Sequence, residues 1–306
     1  MPLEKSDLTR WERAQYYTSY LALRGVIAGM RALPYARRIA LMGRIMSALG
    51  PVVGFRKRIR DNLALVCPDL PEAEVARLCK AVPDNAGRSI MEHFSPEEFV
   101  QRQQTAPITG PGCAALKEAI QQGRPVLMIG AHFGHYMATR VAVQHQFGKP
   151  MGCFYRRMAN PYFNDIYVDA FEKTGKPLFE QGRRGMSQMV RHVKNSGVVA
   201  IVADLHAHGG QELMFFGKPA VTSVLNAELA LKYDALMIPC HAIRQDNGLD
   251  FEIHISDPIP HTDPMTMTQA INDDLETLVR DHMGQWFWIH RRWKPWYDRG
   301  IQPGDD

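Results

Sequence analysis

Several things are scarce in this 306-residue sequence, and each scarcity excludes something. Cysteine occurs five times (Cys67, Cys79, Cys113, Cys153, Cys240), without C-x-x-C spacing. An odd, scattered set fits neither a disulfide framework nor a structural zinc site, and it points to a reducing, cytosol-facing environment. There is no internal repeat and no low-complexity tract. With 45% hydrophobic and 22% charged residues, disordered and collagen-like classes are excluded. No secretory leader is expected: Glu4, Asp7 and Glu12 stand where basic residues belong, and no small-residue cleavage site follows. An uninterrupted run of about 20 apolar residues, which a membrane span needs, is also missing, because Arg24 and Arg31 break the stretch from Ala14 to Leu33. Net charge is small, at +4, and uneven: residues 1–60 hold twelve Lys/Arg against three Asp/Glu, whereas the remainder holds 24 against 29. With the basic excess confined to an apolar N-terminus and no zinc-finger, helix-turn-helix or RNA-recognition motif, nucleic acid is not an expected partner.

What is there divides at about residue 60. Residues 1–60 are expected to form a helical, basic, membrane-associating segment that stays attached, peripheral or as a single N-terminal anchor, with lying on the bilayer favoured over crossing it. Tyr16, Tyr17 and Tyr20 suit the interface, and Phe55-Arg56-Lys57-Arg58-Ile59-Arg60 suits anionic headgroups at about 1 kcal/mol per basic residue. The bland alternative is an amphipathic helix that covers the catalytic domain. Residues 61–300 are expected to be that domain, and residues 301–306 a tail. Helix dominates to about residue 100, with the proline punctuation marking helices from Ala36 to Leu49 and from Glu72 to Ala81.

Beyond that, strand and helix signals alternate. Apolar runs at Pro125 to Ala131, Gly197 to Ala203 and Ala235 to His241 read as strands. Helical patterns fall at Tyr136 to His145, Gly185 to Asn195, Ser223 to Tyr233 and about Thr266 to His282. Phe251 to Ile255 alternates like a strand with one wetter face. Strands apolar on both faces and bounded by helices define an α/β fold with a central, largely parallel mixed sheet flanked by helices.

In such sheets ligands bind where strands end. Two strand ends carry polar residues: Ala131-His132-Phe133-Gly134-His135-Tyr136-Met137 and Asp204-Leu205-His206-Ala207-His208. A neutral His132 there can take a proton from an alcohol, its ordinary pKa lying near working pH. Arg156, after the apolar Met151 to Tyr155, offers a guanidinium fork for phosphate or an oxyanion. Arg183 and Arg184 sit in a glycine-flanked turn suited to phosphate, with a solvated basic loop as the plain alternative. Phe215 and Phe216 suit either the mouth of a site, where an acyl chain would meet aromatic faces, or simple core packing. Five groups (His132, His135, Asp204, His206, His208) would also supply enough donors for a metal-dependent hydrolase.

The segment from His132 to Met137 resembles the H-x-x-x-x-D/E signature of the lipid A late acyltransferase family, where a version of His-Phe-Gly-Asn-Trp-Glu lies between strand and helix. Further matches follow in the family's order: Phe154-Tyr155-Arg156, Gly182-Arg183-Arg184-Gly185, Val202-Ala203-Asp204, Phe215-Phe216-Gly217-Lys218-Pro219-Ala220, and Trp288-Ile289-His290-Arg291-Arg292-Trp293-Lys294. Asn62-Leu63 with Cys67-Pro68-Asp69-Leu70 resembles the family's N-terminal turn, so the likeness spans about residues 15–295. It implies a glycerolipid acyltransferase-like fold. The implied activity is transfer of a fatty acyl chain from acyl carrier protein, or from coenzyme A, to a hydroxyl of a lipid A precursor or related membrane lipid. The reaction would run at the cytoplasmic face of the bacterial inner membrane, with no cofactor beyond the thioester co-substrate and no metal. His132 would be the general base and His135 falls at the family's asparagine position. The family's acid falls on Met137, which can neither orient an imidazole nor stabilise its charge. Asp204 is then the expected orienting acid, the alternative being a lapsed enzyme that retains lipid binding.

Overall fold

The computed structural model describes residues 5–294; the expected tail at 301–306 lies outside them. Five helices open the chain: α1 (Arg10–Arg31), α2 (Tyr35–Leu49), α3 (Phe55–Val66), α4 (Glu72–His93) and α5 (Pro96–Gln103). Glu12 lies in the first turn of α1. The Thr9 hydroxyl accepts from the Glu12 amide at 3.2 Å, and the Glu12 carboxylate accepts from the Thr9 amide at 2.9 Å, a reciprocal cap. Sequence reading ends the fourth helix at Ala81; it runs twelve residues further, through Pro83, to His93. An internal proline forfeits one backbone hydrogen bond and crowds the preceding turn. Close packing of α4 on α2 offsets this: a Cβ on Gly43 would lie 2.6 Å from Asp84 Oδ1, and one on Gly87 2.6 Å from the Met42 carbonyl. No helix among the described residues is long and apolar enough to cross a membrane.

The α/β part follows as β1 (Ile108–Thr109), α6 (Cys113–Gln121), β2 (Val126–Gly130), α7 (Met137–Phe147), β3 (Met151–Tyr155), α8 (Pro161–Lys173), β4 (Leu178–Glu180), α9 (Arg183–Lys194) and β5 (Val198–Val202). Then come β6 (Gln211–Phe215), β7 (Lys218–Thr222), α10 (Leu225–Tyr233), β8 (Leu236–Arg244), β9 (Phe251–Ile255) and α11 (Pro264–Asp281). Seven strands form one sheet in the order β1-β9-β8-β2-β5-β3-β4. The five from β8 to β4 are parallel; β9 runs antiparallel to β8, and β1 parallel to β9. The sheet is therefore mixed and mostly parallel, as the alternation of elements implies.

Burial follows the two-residue period of a strand. Val126 and Met128 on β2 join the core beneath α5, α6 and α7, while Leu127 and Ile129 join the core beneath α9, α10 and α11. A third core lies at one end of the sheet, where Ile59, Leu63, Leu78 and Val82 of α3 and α4 meet Phe215, Phe216, Trp286, Trp288 and Trp293. Residues before 60 also reach the body of the molecule, Met30 and Ile39 sharing a core with Met91, Phe94 and Ala170. The β6–β7 hairpin is absent from the sequence reading. Its turn places Phe216 (φ 53°) and Gly217 (φ 67°) in the left-handed region, as a two-residue hairpin turn of this hand requires. Phenylalanine there gives no local turn signal.

Candidate active site

The parallel pairing of β2 with β5 builds the centre of the site. Val126 stands opposite Val198 and Gly130 opposite Val202, so the residues two past each strand end, His132 and Asp204, face one another. His132 Nδ1 lies 2.8 Å from Asp204 Oδ1, and the His132 amide donates to Asp204 Oδ2 at 2.9 Å. The indole N–H of Trp286 donates to the same Oδ2 at 2.9 Å. The carboxylate is fully buried, whereas the imidazole keeps 28% of its side-chain surface open although it sits deep among protein atoms. With Nδ1–H held by the acid, the lone pair is on Nε2, the arrangement a general base needs.

Electrostatics match the geometry. Burial by itself would push Asp204 up, but the charge and hydrogen bond of His132 outweigh it, with His290 and the His132 amide adding to them, and hold the carboxyl well below its usual range. Burial would likewise push His132 down. The Asp204 charge and hydrogen bond exceed that, and the imidazole titrates above its ordinary value.

The loop that carries His132 is pinned on both sides. Its carbonyl accepts from the Phe287 amide at 3.0 Å, and Gly134 N–H donates to the Gln285 carbonyl at 3.0 Å. The Gly134 carbonyl accepts from Asn85 Nδ2 at 3.1 Å and Ser89 Oγ at 2.9 Å, both on α4. Gly134 has φ 52°, and a Cβ there would lie 1.9 Å from the Ala242 carbonyl, so only glycine fits. Behind this clamp, Arg244 at the end of β8 donates to Asn85 Oδ1 at 2.8 Å, to Ser89 Oγ at 3.1 Å and to Glu92 through both terminal nitrogens. A polar groove of about 830 Å³ lies beside the same clamp, walled by Arg77, Lys80, Asp84, Asn85, Arg244 and Gln285 among others; His132 is not among its walls.

The remaining sequence-predicted residues separate into those at the strand ends and those in the core. Arg156 follows β3, and Arg183 and Arg184 open α9 after β4; all three are exposed. They therefore share the strand-end edge with His132 and Asp204. His135 is turned inward: it is buried, stacks on Phe99 at 4.7 Å, and accepts from the Met137 amide at 3.4 Å. Burial, and then Arg244 and His93, hold it well below the ordinary histidine value, so it is a neutral group at the start of α7. Met137 lies in the core with Ala138 and Val141. Phe215 and Phe216 are buried, packing on Trp286, Trp288 and Trp293. Among the described residues no three His, Cys, Asp or Glu side chains converge as metal ligands. Of the five donors in the hydrolase alternative (His132, His135, Asp204, His206 and His208), His135 points into the core, away from the His132–Asp204 pair.

Two contributors escape the sequence reading. By its sequence the aromatic-basic segment from Trp286 reads as stacking within the fold, with an interfacial belt as the second reading, and neither points to the Trp286 N–H binding Asp204. His290 reads as structural, yet its ring lies 4.8 Å from that of His132, edge-on at 72°. Asn62 holds this segment, donating to the Trp288 and His290 carbonyls at 2.6 and 2.9 Å. The spacing of the aromatic-basic motif carries no sign that its histidine returns to the end of β2.

A histidine paired with a buried acid, at the carboxyl ends of adjacent parallel strands, has the geometry to activate a hydroxyl. The model of the bacterial lipid A biosynthesis acyltransferase family matches residues 5–295, and the chain belongs to that family. It is an acyltransferase of lipid biosynthesis. Similar proteins include the lipid A biosynthesis lauroyltransferase of Escherichia coli, 24% identical over 298 residues and 92% of each chain. The phosphatidylinositol mannoside acyltransferase of Mycobacterium tuberculosis is 25% identical over 251 residues, 78% of each chain.

Proposed function

We propose that this acyltransferase moves a fatty acyl chain from a thioester, carried by acyl carrier protein or coenzyme A, to a hydroxyl of a lipid A precursor or related membrane lipid, with His132 as general base and Asp204 as its orienting acid. The observation that carries this is the 2.8 Å contact of His132 Nδ1 with a fully buried carboxylate, which leaves Nε2 as the basic nitrogen. His132 takes the proton of the acceptor hydroxyl as its oxygen attacks the thioester carbonyl carbon. The tetrahedral intermediate collapses, the C–S bond breaks, and the imidazolium returns the proton to the leaving thiolate. Asp204 stabilises the imidazolium while it exists. That role is the one Met137 cannot fill, which argues against a lapsed enzyme.

The donor and the acceptor both carry phosphate in most of their forms, and the exposed Arg156, Arg183 and Arg184 on the strand-end edge are the groups we assign to it. The setting we infer is the cytoplasmic face of the inner membrane. Exposed Trp11, Tyr17, Leu21, Leu23 and Val26 on α1, with Leu41, Ile45, Leu49, Val52 and Val53 on α2 and the following turn, supply apolar contact. Arg56, Lys57 and Arg58 supply charge beside it. The lipid A lauroyltransferase and the mannoside acyltransferase among its relatives favour a glycolipid acceptor. The test is transfer from radiolabelled acyl carrier protein and coenzyme A thioesters to lipid A precursors and other lysolipids in detergent, for wild type and His132→Ala. Wild type is expected to label one acceptor, and His132→Ala to fall by about 10⁴ in kcat. Equal transfer by both would remove His132 from the reaction.

A further inference from the structure

A base and its acid account for the proton but not for the carbonyl oxygen, which becomes negative as the hydroxyl oxygen attacks. Enzymes of acyl transfer stabilise that charge with fixed donors in a site shielded from water. The exposed Arg156, Arg183 and Arg184 lack such shielding, since charge interactions in water are weak.

His290 has it. Its ring lies 4.8 Å from that of His132 and 4.6 Å from that of Phe287, both edge-on. Its backbone is fixed at both ends, the amide donating to the Phe287 carbonyl at 3.1 Å and the carbonyl accepting from the buried Asn62 at 2.9 Å. Its Nε2 is buried and has no hydrogen-bond partner among the described residues. An unsatisfied buried nitrogen costs about 1–3 kcal/mol, a cost that a substrate oxygen would remove. Burial, and then repulsion by His132, lower this imidazole to about 4, so it stays neutral at pH 7 beside a partner that must become charged during the reaction.

We propose that His290 is a second catalytic residue, its Nε2–H donating to the carbonyl oxygen of the acyl thioester. The inference rests on the acyl-transfer reading above. In the step it serves, the hydroxyl proton passes to His132 Nε2, the new C–O bond forms, and the carbonyl pair moves onto the oxygen held by His290. When that pair returns, the C–S bond breaks and the thiolate takes the proton back from His132. His290 donates a hydrogen bond throughout and exchanges no proton. A neutral imidazole polarises a carbonyl in the same manner in triosephosphate isomerase.

The test compares His290→Ala, His290→Gln and His290→Phe with wild type in the same transfer assay, with thermal melts to report folding. Gln keeps a nitrogen donor near Nε2, and Phe keeps the ring volume without a donor. His290→Ala is expected to lower kcat about 10²–10³-fold, as loss of one oxyanion donor does, with KM within threefold. His290→Gln should regain at least tenfold of that loss, and His290→Phe should remain as low as Ala despite melting like wild type. If Phe is as active as Gln, or if Ala keeps kcat within threefold, His290 only packs and the inference is overturned. A wild type that transfers nothing to any acceptor overturns both this inference and the reading beneath it, whereas an active wild type with active His290 variants overturns this inference alone.

Discussion

Two of the histidine–aspartate pairs among the described residues are built in opposite senses. In His132–Asp204 the acid is completely buried and the imidazole is 28% open. In His241–Asp274, between β8 and α11, the imidazole is 3% open and the acid 23% open, at a longer separation of 3.1 Å. The first carboxylate accepts from three protein donors and leaves its histidine's Nε2 as the basic nitrogen. The second histidine uses Nε2 for its acid, and its Nδ1 is buried without a partner among the described residues. Identical residue types thus give one pair that can present a base to a substrate and one that can only tie a strand to a helix. Which partner is buried decides the chemistry, because a buried, fully bonded acid stays charged and can hold an imidazolium.

The largest effect expected from breaking this contrast is at Asp204. Asp204→Asn preserves shape and removes charge, and kcat should fall about 10⁴-fold, by analogy with loss of the orienting acid in a serine protease triad. A loss under tenfold in steady-state assays would mean that Asp204 does not orient the base. Met137→Asp places a carboxylate in the core position where the family's signature has its acid. Because Met137 is buried among apolar side chains, we expect loss of several kcal/mol in chemical denaturation and no gain in transfer; a gain would mean that the signature acid is what this chain lacks. The smallest effect belongs to the second pair. Asp274→Asn should leave kcat within threefold and cost about 1–3 kcal/mol of stability, and a hundredfold loss of kcat in a well-folded variant would erase the distinction between the pairs.

The same contrast explains what could be read from sequence. Asp204 was legible because strand ends in a parallel sheet lie side by side, and the two apolar runs before His132 and Asp204 mark those ends without help from tertiary structure. The central strands were legible for the same reason, being apolar on both faces. His135 and His132 sit on one short loop with similar neighbours, and tertiary partners separate them: Phe99 and Phe251 hold His135 inward, while Asp204 holds His132 at the strand end. Phe215 and Phe216 left both alternatives open, since an aromatic pair looks alike in a core and at a site. The passage of α4 through Pro83 depends on two glycine contacts with a separate helix, and the hairpin turn at Phe216 on a positive φ that phenylalanine does not announce. Trp286 and His290 reach the end of β2 from about 150 residues away in sequence, a distance over which local pattern carries nothing.

The pH dependence of kcat/KM in wild type and Asp204→Asn tests most directly whether the Asp204 charge governs His132. The acid raises the base above the ordinary histidine value, so the wild-type acid limb should lie above about 6.5. Without that charge, burial lowers the imidazole, and the limb of Asp204→Asn should move to lower pH even as the plateau falls. A limb that stays in place in Asp204→Asn, or a wild-type limb below the free-imidazole value, would contradict the account.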